Sequence, residues 1–596
     1  MSHPHAQRLA DLRAELARRG LAGFVVPLTD EHGSEYVADY AQRLMWISGF
    51  KGSAGSAIIL ADKAAVFVDG RYVIQVRDQV DGDLFERVHL DGGSALDWLA
   101  PRLKAGDRIG YDPRLHTPGW VEEARQLLSR KRAELVALSD NPIDSVWSDQ
   151  PAPPPHPLRP HETALAGESA AQKRARLAAV LADKGADAAV LTALDSIAWL
   201  FNVRGNDVDH TPVALSYALL HQNGQADLYI DEGKLDNDVR VHLGNEVSIK
   251  PYDSFYGSLG ELGAGGRAVL ADPATANAAV FEALKAGGAD IIRAADPCAL
   301  PKACKNAAEI GGSVAAHLRD GAAVTNFLHW LDEEAPKGGL TEIGCVEKLL
   351  SFRQKNEGFR DTSFDTISGA GPNGAICHYR VSPESSRPLK TGELYLVDSG
   401  GQYPDGTTDI TRTVPIGTVG DEERDRFTRV LKGHIALACA RFPKGTTGAQ
   451  LDAIARKPLW DAGLDYDHGT GHGVGSYLAV HEGPQRISKA PNAIALQPGM
   501  ILSNEPGYYK DGGYGIRIEN LVHVVADENG AERPFLRFET LTLAPIDRRL
   551  VKIDLLDADE RAWLDGYHDR VHQALAPLVD AKTRPWLAAM TAPLGA

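Results

Sequence analysis

Residues 394–413 read LYLVDSGGQYPDGTTDITRT. The apolar run before Asp398 and the residues around Asp409 predict two adjacent strands, and YPDG at 403–406 predicts the turn between them. Such a hairpin can bring both carboxylates to one face. Aspartate is poor in strands and costly to bury without a partner. Two of them here therefore indicate a nearby cation.

Three further residues of metal-ligand type occur in distinctive local patterns. His472 lies in GTGHGVG, where glycine at every second position lets the backbone approach a ligand closely. Glu505 lies in SNEPGYY and Glu519 in GIRIEN. Side chains alternate along a strand, so Arg517 and Glu519 share a face and Arg517 can hydrogen-bond a ligating carboxylate. The candidate metal ligands are Asp398, Asp409, His472, Glu505 and Glu519.

Four carboxylates and one imidazole can hold two divalent cations, which is a common way of activating water. Three more histidines are candidates for proton transfer or oxyanion stabilisation beside such a centre: His378 in AICHYR, His468 in YDHGTGH and His481 in AVHEGP. The chain has 20 histidines, so a surface or core position is the alternative for each of them. His468 lies four residues before His472, which favours a role at the site.

Bulk properties exclude several classes of protein. The formal net charge of -17 argues against nucleic acid or an anionic membrane as partner. No apolar run has the length needed to cross a bilayer, and the polar N-terminus lacks the apolar core of a signal peptide. Five cysteines without a C-x-x-C pair are typical of reduced thiols. We therefore expect a cytoplasmic protein.

A chain of 596 residues is too long for one core. The stretch PAPPPHPLRP at 151–160 has six prolines and predicts an extended spacer. We predict domains at 1–160, 161–305 and 306–545, followed by a helical C-terminal extension at 546–596 that packs on the third domain.

The first two predicted domains have a similar outline. Each opens with a charged amphipathic helix ending at a glycine, Gly20 or Gly185, followed by an apolar strand and a segment containing Trp46 or Trp199. Alternating strands and helices predict an α/β domain in each case. The similarity indicates a duplication; the alternative is two unrelated α/β domains with common features.

The pattern changes after residue 306. Helices are predicted at 307–332, 340–356, 422–441 and 449–462, grouped between pairs of strands that include MILSNEPGYY and GIRIENLVHVV. This grouping predicts an α+β domain with a largely antiparallel sheet.

These motifs resemble a known family. The stretches FRDTSFDTISGAGPNGAICHYR, SGGQYPDGTTDITRT, GLDYDHGTGHGVGSYLAVHEGP and NEPGYYKDGGYGIRIEN look like the metallopeptidase domain of the creatinase/prolidase/methionine aminopeptidase superfamily, peptidase family M24. The closest resemblance is to the three-domain Xaa-Pro aminopeptidases. It is dense over 306–545 and looser over 1–305. It implies duplicated creatinase-like N-terminal domains, a "pita-bread" catalytic domain with a curved, largely antiparallel sheet, and a homodimer.

The resemblance also implies roles for single residues. Asp409, His472, Glu505 and Glu519 correspond to the ligands of one metal ion. Asp398 and Asp409 correspond to the ligands of the other, with Glu519 bridging. Glu505 would also take a proton from water, and His481 would stabilise the tetrahedral intermediate. The remaining positions that match the family are the substrate-lining His378 and His468 and the supporting Arg517 and Tyr509.

The implied activity is removal of the first residue from peptides with proline at the second position. A bond before proline has no N–H and a fixed geometry, so it needs a dedicated site. Mostly oxygen ligands favour Mn²⁺, with Co²⁺ and Zn²⁺ as alternatives. The alternatives are a prolidase restricted to Xaa-Pro dipeptides, a methionine aminopeptidase, and a non-catalytic peptide-binding module on the same scaffold.

Overall fold

The structure is a computed structural model that describes residues 4–528, 530 and 532–595. It divides into two compact units. Unit 1 comprises Met1–Thr163 and Glu168–Ala299, and unit 2 comprises Ala164–Gly167 and Leu300–Ala596. None of the helices formed by the described residues combines the length and the apolar character of a membrane span.

The first half of unit 1 is a six-stranded sheet flanked by helices. Its strands are β1 Gly23–Pro27, β2 Ser56–Leu60, β3 Ala64–Val68, β4 Glu86–His89, β5 Arg108–Tyr111 and β6 Glu134–Ala137. Its helices are α1 Pro4–Arg18, α2 Arg43–Ser48, α3 Val73–Gln79, α4 Ala95–Leu99, α5 Pro118–Arg130 and α6 Pro142–Val146. The strand order is β4-β3-β2-β1-β5-β6.

A second six-stranded sheet follows a small pair formed by β7 Arg159–Pro160 and β9 Val203–Arg204. Its strands are β8 Ala188–Leu191, β10 Tyr217–His221, β11 Ala226–Ile230, β12 Val247–Pro251, β13 Ala268–Ala271 and β14 Asp290–Arg293. The helices of this region are α7 Thr163–Ala166, α8 Ala170–Asp183, α9 Leu194–Phe201, α10 Asn237–Leu243, α11 Phe255–Gly263, α12 Ala278–Gly287 and α13 Ala299–Ala303. The order is β12-β11-β10-β8-β13-β14.

The two sheets have the same topology. In the first, β1 pairs antiparallel with β2 and parallel with β5. In the second, β8 pairs antiparallel with β10 and parallel with β13. The outer strands match as well, since β3–β4 and β11–β12 are both parallel. The predicted pair of duplicated α/β domains is thus confirmed.

The local reasons for this fold are also repeated. Helices α1 and α8 both stop before a glycine in the left-handed region, with φ of 67° at Gly20 and 68° at Gly185, a conformation that other residues adopt only with strain. In β1, the side chains of Phe24 and Val26 join one apolar core and Val25 joins the core on the opposite face. Helices therefore cover both faces of the sheet.

Unit 2 contains most of α7 and α13 and all of the remaining elements. Its strands are β15 Asp361–Thr362, β16 Ile367–Ala370, β17 Leu394–Ser399, β18 Gly401–Tyr403, β19 Gly406–Thr407, β20 Ile410–Pro415, β21 Arg441–Pro443, β22 Gly471–Gly473, β23 Glu482–Ile487, β24 Ile501–Asn504, β25 Gly507–Lys510, β26 Tyr514–Arg517, β27 Asn520–Asp527 and β28 Phe535–Thr540. Its helices are α14 Ala307–Glu334, α15 Glu342–Arg353, α16 Asp421–Ala438, α17 Gly448–Trp460, α18 Ala558–Leu575 and α19 Thr583–Met590.

The strands of unit 2 form antiparallel sheets, in the orders β15-β18-β19, β16-β17-β20, β21-β28-β27-β24-β22-β23 and β25-β26. The α+β class predicted for this region is confirmed. Helix α18 packs its Leu564, Tyr567 and Val571 into the same apolar core as Val430 and Leu431 of α16.

The predicted hairpin over 394–413 differs in one respect. The sequence suggests that Asp409 lies within the second strand, whereas the structure places it one residue before β20. The strand pairing is interrupted where Gly400 meets the backbone of Thr408 closely: a Cβ on Gly400 would lie 1.9 Å from the Thr408 carbonyl oxygen. The hairpin is therefore split into two sheets, and Asp409 lies at the break.

Candidate metal centre and active site

The predicted ligands lie at ends and interruptions of strands. Asp398 is in β17 and His472 in β22, but Asp409, Glu505 and Glu519 each fall between two consecutive strands. At such a break the backbone leaves the ladder, so a side chain can turn from the regular alternation towards a common point.

Three of these side chains converge closely. One ligand atom from each of Asp409, His472 and Glu519 lies within 4.8 Å of the other two. Nε2 of His472 lies 3.5 Å from Oδ2 of Asp409 and 3.5 Å from Oε1 of Glu505. The sequence separation between Asp409 and Glu519 shows that only the tertiary fold brings them together.

Burial and mutual repulsion perturb these groups strongly. Burial, aided by the charges of Asp398 and Glu505, raises the pKa of Asp409 to about 6. Burial and the neighbouring acids also raise the pKa of Glu519 well above its usual value. Burial lowers the pKa of His472, but its hydrogen bond to Asp409 and the charge of Glu505 outweigh this and raise the pKa to about 9.

A pair of divalent cations fits this donor set. Oδ1 of Asp398 and Oδ1 of Asp409 are buried and accept no hydrogen bond from the residues that the structure describes. A buried carboxylate oxygen without a donor costs free energy, and a cation removes that cost. Carboxylate oxygens with one imidazole are the ligands of hard to borderline divalent ions. The site therefore has the composition of a metal centre.

Arg517 organises one side of the cluster. Its guanidinium donates to Oδ2 of Asp398 at 2.6 Å, to Oγ1 of Thr411 at 3.1 Å and to the hydroxyl of Tyr509. The side chain is 2% exposed, so the pair with Asp398 is shielded from solvent. Burial lowers the pKa of Arg517, but the neighbouring Tyr509 and acids outweigh it and raise it well above the usual value.

Two hydroxyl residues at the site, Thr411 and Ser503, were not predicted from the sequence. Oγ1 of Thr411 donates to Oε2 of Glu519 at 2.7 Å. Oγ of Ser503 donates to Oε1 of Glu505 at 3.0 Å and accepts the backbone N–H of His472 at 2.9 Å. Alternation of side chains along a strand could have identified both residues, because Thr411 lies two residues after Asp409 and Ser503 two residues before Glu505.

Two of the three histidines predicted to lie beside the ligands, His468 and His481, are close to ligand side chains. Nε2 of His468 is hydrogen-bonded to the hydroxyl of Tyr509 at 2.8 Å, and its Nδ1 lies 3.9 Å from Oε2 of Glu505. The ring of His481 lies with its centroid 4.3 Å from that of His472. Both imidazoles therefore border the acid cluster.

His378 is half-buried in the segment that follows β16. The carbonyl of its neighbour Cys377 accepts a hydrogen bond from Arg517 at 3.2 Å, which joins this segment to the cluster. Glu342, which the sequence analysis missed, ties the same segment together. Its carboxylate accepts the backbone N–H of Ala370 at 2.7 Å and the hydroxyl of Tyr379 at 3.0 Å.

A cluster of buried acids around imidazoles, on an antiparallel α+β scaffold, is typical of a metal-dependent hydrolase. Family models agree with this class. The model described as Metallopeptidase family M24 matches residues 313–526, and the C-terminal region of the same family matches 534–594. Two models described as Creatinase/Prolidase N-terminal domain match 8–146 and 149–309.

Curated relatives are similar over nearly the whole chain. Aminopeptidase P2 of Arabidopsis thaliana is 42% identical over 617 residues, covering 96% of this chain and 86% of the relative. A probable Xaa-Pro aminopeptidase P of Aspergillus niger is 41% identical over 611 residues, covering 99% of each. The chain belongs to the Xaa-Pro aminopeptidase P family of the M24 metallopeptidases.

A solved structure is similar throughout. The X-prolyl aminopeptidase of Caenorhabditis elegans, described as a cytosolic enzyme with a di-nuclear active site, superposes with a TM-score of 0.94 at 35% identity. The match covers 99% of this chain and all of that one. The fold predicted from the sequence is therefore confirmed as a whole.

Proposed function

We propose that this chain is an Xaa-Pro aminopeptidase that hydrolyses the peptide bond between an N-terminal residue and a following proline. The observation that carries the proposal is the convergence of Asp409, His472 and Glu519 within 4.8 Å, beside two buried carboxylate oxygens that accept no hydrogen bond from the described residues. The 41% identical relative named a probable Xaa-Pro aminopeptidase P supports the same substrate class.

The metal ligands proposed are those of the sequence analysis, with Asp409 and Glu519 shared between two sites: Asp398, Asp409, His472, Glu505 and Glu519. Two divalent cations held there would supply a nucleophile from water at neutral pH and polarise the carbonyl of the scissile bond. Mn²⁺ is the metal we propose, because oxygen donors dominate the set. The solved relative described as di-nuclear supports the number of ions.

The chain's own residues handle the protons and the substrate. Glu505 takes the proton from the attacking water; its Oε1 is held by the hydroxyl of Ser503. His481 donates to the carbonyl oxygen as negative charge develops there. His378 and His468 line the site around the proline, and Tyr509 holds His468 through its hydroxyl. Arg517 fixes the orientation of Asp398.

An assay of peptide length separates this proposal from a prolidase. We expect turnover of Arg-Pro-Pro and longer Xaa-Pro-Xaa peptides, with release of the first residue, and slower turnover of an Xaa-Pro dipeptide. Cleavage confined to the dipeptide would favour the prolidase. Protein stripped by a chelator and reloaded separately with Mn²⁺, Co²⁺ and Zn²⁺ tests the metal. A protein that binds the peptides but hydrolyses none with any metal would be a binding module.

The remaining predictions are proposals of the same kind. Matches of family models to 8–146, 149–309, 313–526 and 534–594 support domains at 1–160, 161–305 and 306–545 with an extension at 546–596. A homodimer is tested by light scattering coupled to size exclusion. A cytoplasmic location is supported by the solved relative described as cytosolic, and the net charge of -17 supports the absence of a nucleic-acid partner.

A further inference from the structure

Three charged side chains outside the metal centre form a buried triad: Lys302, Lys305 and Glu482. Nζ of Lys302 lies 2.9 Å from Oε2 of Glu482, and Nζ of Lys305 donates to Oε1. The side chains of Lys302 and Lys305 are 3% and 1% exposed, and that of Glu482 is fully buried. Both oxygens of the carboxylate are thus held from two directions.

Stability alone does not account for such a triad. Desolvation of each of these three buried ions costs several kcal/mol. Replacement of buried ion pairs by apolar side chains of similar volume is often neutral or stabilising in proteins. The triad instead fixes the position of one carboxylate, because two ion pairs are more directional than apolar contacts.

The carboxylate it fixes belongs to the residue next to His481. Glu482 is the first residue of β23 and pairs with Gly473, the neighbour of His472. The Glu482 side chain is buried, while the ring of His481 lies 4.3 Å from that of His472. His481 lies in the bend directly before β23, so the buried Glu482 at the start of that strand anchors the backbone next to His481, whose ring lies beside that of His472.

Strands β22 and β23 pack closely where Gly473 pairs with Glu482. A Cβ on Gly473 would lie 2.2 Å from the carbonyl oxygen of Glu482. On the other side, the backbone N–H of Lys305 donates to the carbonyl of Gly499 at 3.0 Å, two residues before β24, the strand that leads to Glu505. The triad therefore joins the segments that carry His472, His481 and Glu505.

We propose that Lys302, Lys305 and Glu482 are positioning residues that hold His481 in register with His472 for the reaction. This inference rests on the proposed function, in which His481 stabilises the carbonyl oxygen. A displacement of the imidazole by about 1 Å lowers the rate by roughly tenfold to a hundredfold. The effect falls on kcat, because the oxyanion develops only in the transition state.

The test compares broken and replaced forms of the triad in the full-length, metal-loaded protein. Glu482→Gln leaves two ammonium groups without their carboxylate, so it lowers Tm and lowers kcat on an Xaa-Pro-Xaa peptide about tenfold or more, with KM little changed. The triple variant Lys302→Met, Lys305→Met and Glu482→Met removes all three charges. Its Tm returns towards that of the parent, while kcat stays low.

A matched control is Lys173→Met in unit 1. Lys173 is equally buried at 1% exposure and donates to the carbonyl of Trp199 at 3.0 Å and to Oδ1 of Asn202 at 2.7 Å. This variant lowers Tm but leaves kcat per folded molecule unchanged. A loss of kcat equal to that of Glu482→Gln would attribute the effect to general destabilisation and overturn the proposal.

The triple variant, Glu482→Asp and His481→Ala give further outcomes that test the positioning role. A triple variant that recovers kcat together with Tm makes the triad merely structural. If the triple variant does not fold, Glu482→Asp retains the charge and retracts the carboxylate; a folded Glu482→Asp enzyme with the parent's kcat overturns the positioning role. His481→Ala separates the two proposals: unchanged kcat in that variant refutes the role of His481 itself, whereas a low kcat there with normal kcat in the triad variants refutes only the positioning.

Discussion

Unit 2 contains two sets of buried carboxylates that behave in opposite ways. Asp320 receives two hydrogen bonds from the guanidinium of Arg353, at 2.8 and 2.9 Å. Burial raises its pKa, but Arg353 outweighs this and lowers the pKa below the usual value. Among the proposed metal ligands, burial raises the pKa of Asp409 to about 6 and that of Glu519 well above normal. Comparable burial thus accompanies pKa shifts in opposite directions.

The difference lies in the balance of charge. The acid at α14 has its counter-charge within the protein, in the neighbouring α15, whereas the acids around His472 outnumber Arg517, the arginine paired with Asp398. A balanced pair compensates its own buried charge, so removal of one partner is costly; an unbalanced cluster of acids is compensated by protonation or by bound cations. A substitution in the first set should therefore change stability, and one in the second should change metal binding and rate.

The largest effect is expected for Asp409→Asn. Removing a ligand shared by both proposed metal ions costs several kcal/mol of transition-state stabilisation, which corresponds to about a 10⁴-fold loss of kcat/KM. The metal-free variant should be no less stable than the metal-free parent, because one of several mutually repelling acids is gone. Peptide hydrolysis and chelator-treated thermal unfolding measure the two effects. Full activity in a folded variant would refute the metal mechanism.

Arg353→Met provides the opposite case. It leaves the buried carboxylate of Asp320 without its cation, so the free energy of unfolding should fall by about 3–5 kcal/mol. Activity per folded molecule should stay close to that of the parent. Urea unfolding measures the loss, and the double variant Asp320→Leu with Arg353→Met should regain much of the stability. If Arg353→Met lost metal affinity before it lost structure, Asp320 and the proposed metal ligands would not be independent sets.

Arg517→Lys keeps the charge at the proposed metal centre but removes the planar guanidinium with its several donors. The lysine cannot donate to Asp398, Thr411 and Tyr509 together, so metal affinity should fall by about 10–100-fold. Metal titration of stripped protein, followed by activity at saturating metal, separates loss of affinity from loss of rate. Unchanged affinity would mean that the charge alone, and not its geometry, supports Asp398.

His568 represents a third outcome, a buried titratable group that stays neutral. Burial and the charge of Arg412 lower its pKa to about 4, and its Nε2 accepts the backbone N–H of Ile546. The unfolded histidine titrates near 6.5, so the unfolded state binds more protons between pH 6.5 and about 4. Stability should therefore be unaffected above that window and fall as the pH drops through it.

His568→Gln keeps a hydrogen-bond acceptor and removes the titration. The loss of unfolding free energy between pH 7 and pH 5 should be smaller in this variant by about 1–2 kcal/mol. Denaturant unfolding at both pH values measures it. An identical loss in parent and variant would mean that His568 is not the group that takes up the proton.

Much of this molecule could be predicted locally. The helix ends at Gly20 and Gly185 follow from the need for positive φ, and the repeated helix–strand pattern predicted two similar domains. His472 was identifiable because alternating glycines are unusual. Asp398 was identifiable because a carboxylate at the end of an apolar run needs a partner. Each of these signals lies within a few residues.

Other features could not be predicted in this way. The continuous strands expected around Asp409, Glu505 and Glu519 are interrupted at those residues. The partner that orients Glu519 is Thr411, 108 residues away, and one of the two lysines that hold Glu482 is Lys305, 177 residues away. A threonine or a lysine has no local pattern that reveals such a contact.

The sequence by itself determined which chemistry this chain can perform, since the kinds of side chain and their local backbone freedom are properties of short segments. Only the tertiary structure decided how the acids are balanced, because an ion pair or a metal site depends on distances between segments far apart in the chain. Asp320 and Asp409 are the same residue type at similar burial, at 2% and 4% exposed. What separates them is Arg353 beside one and more carboxylates beside the other.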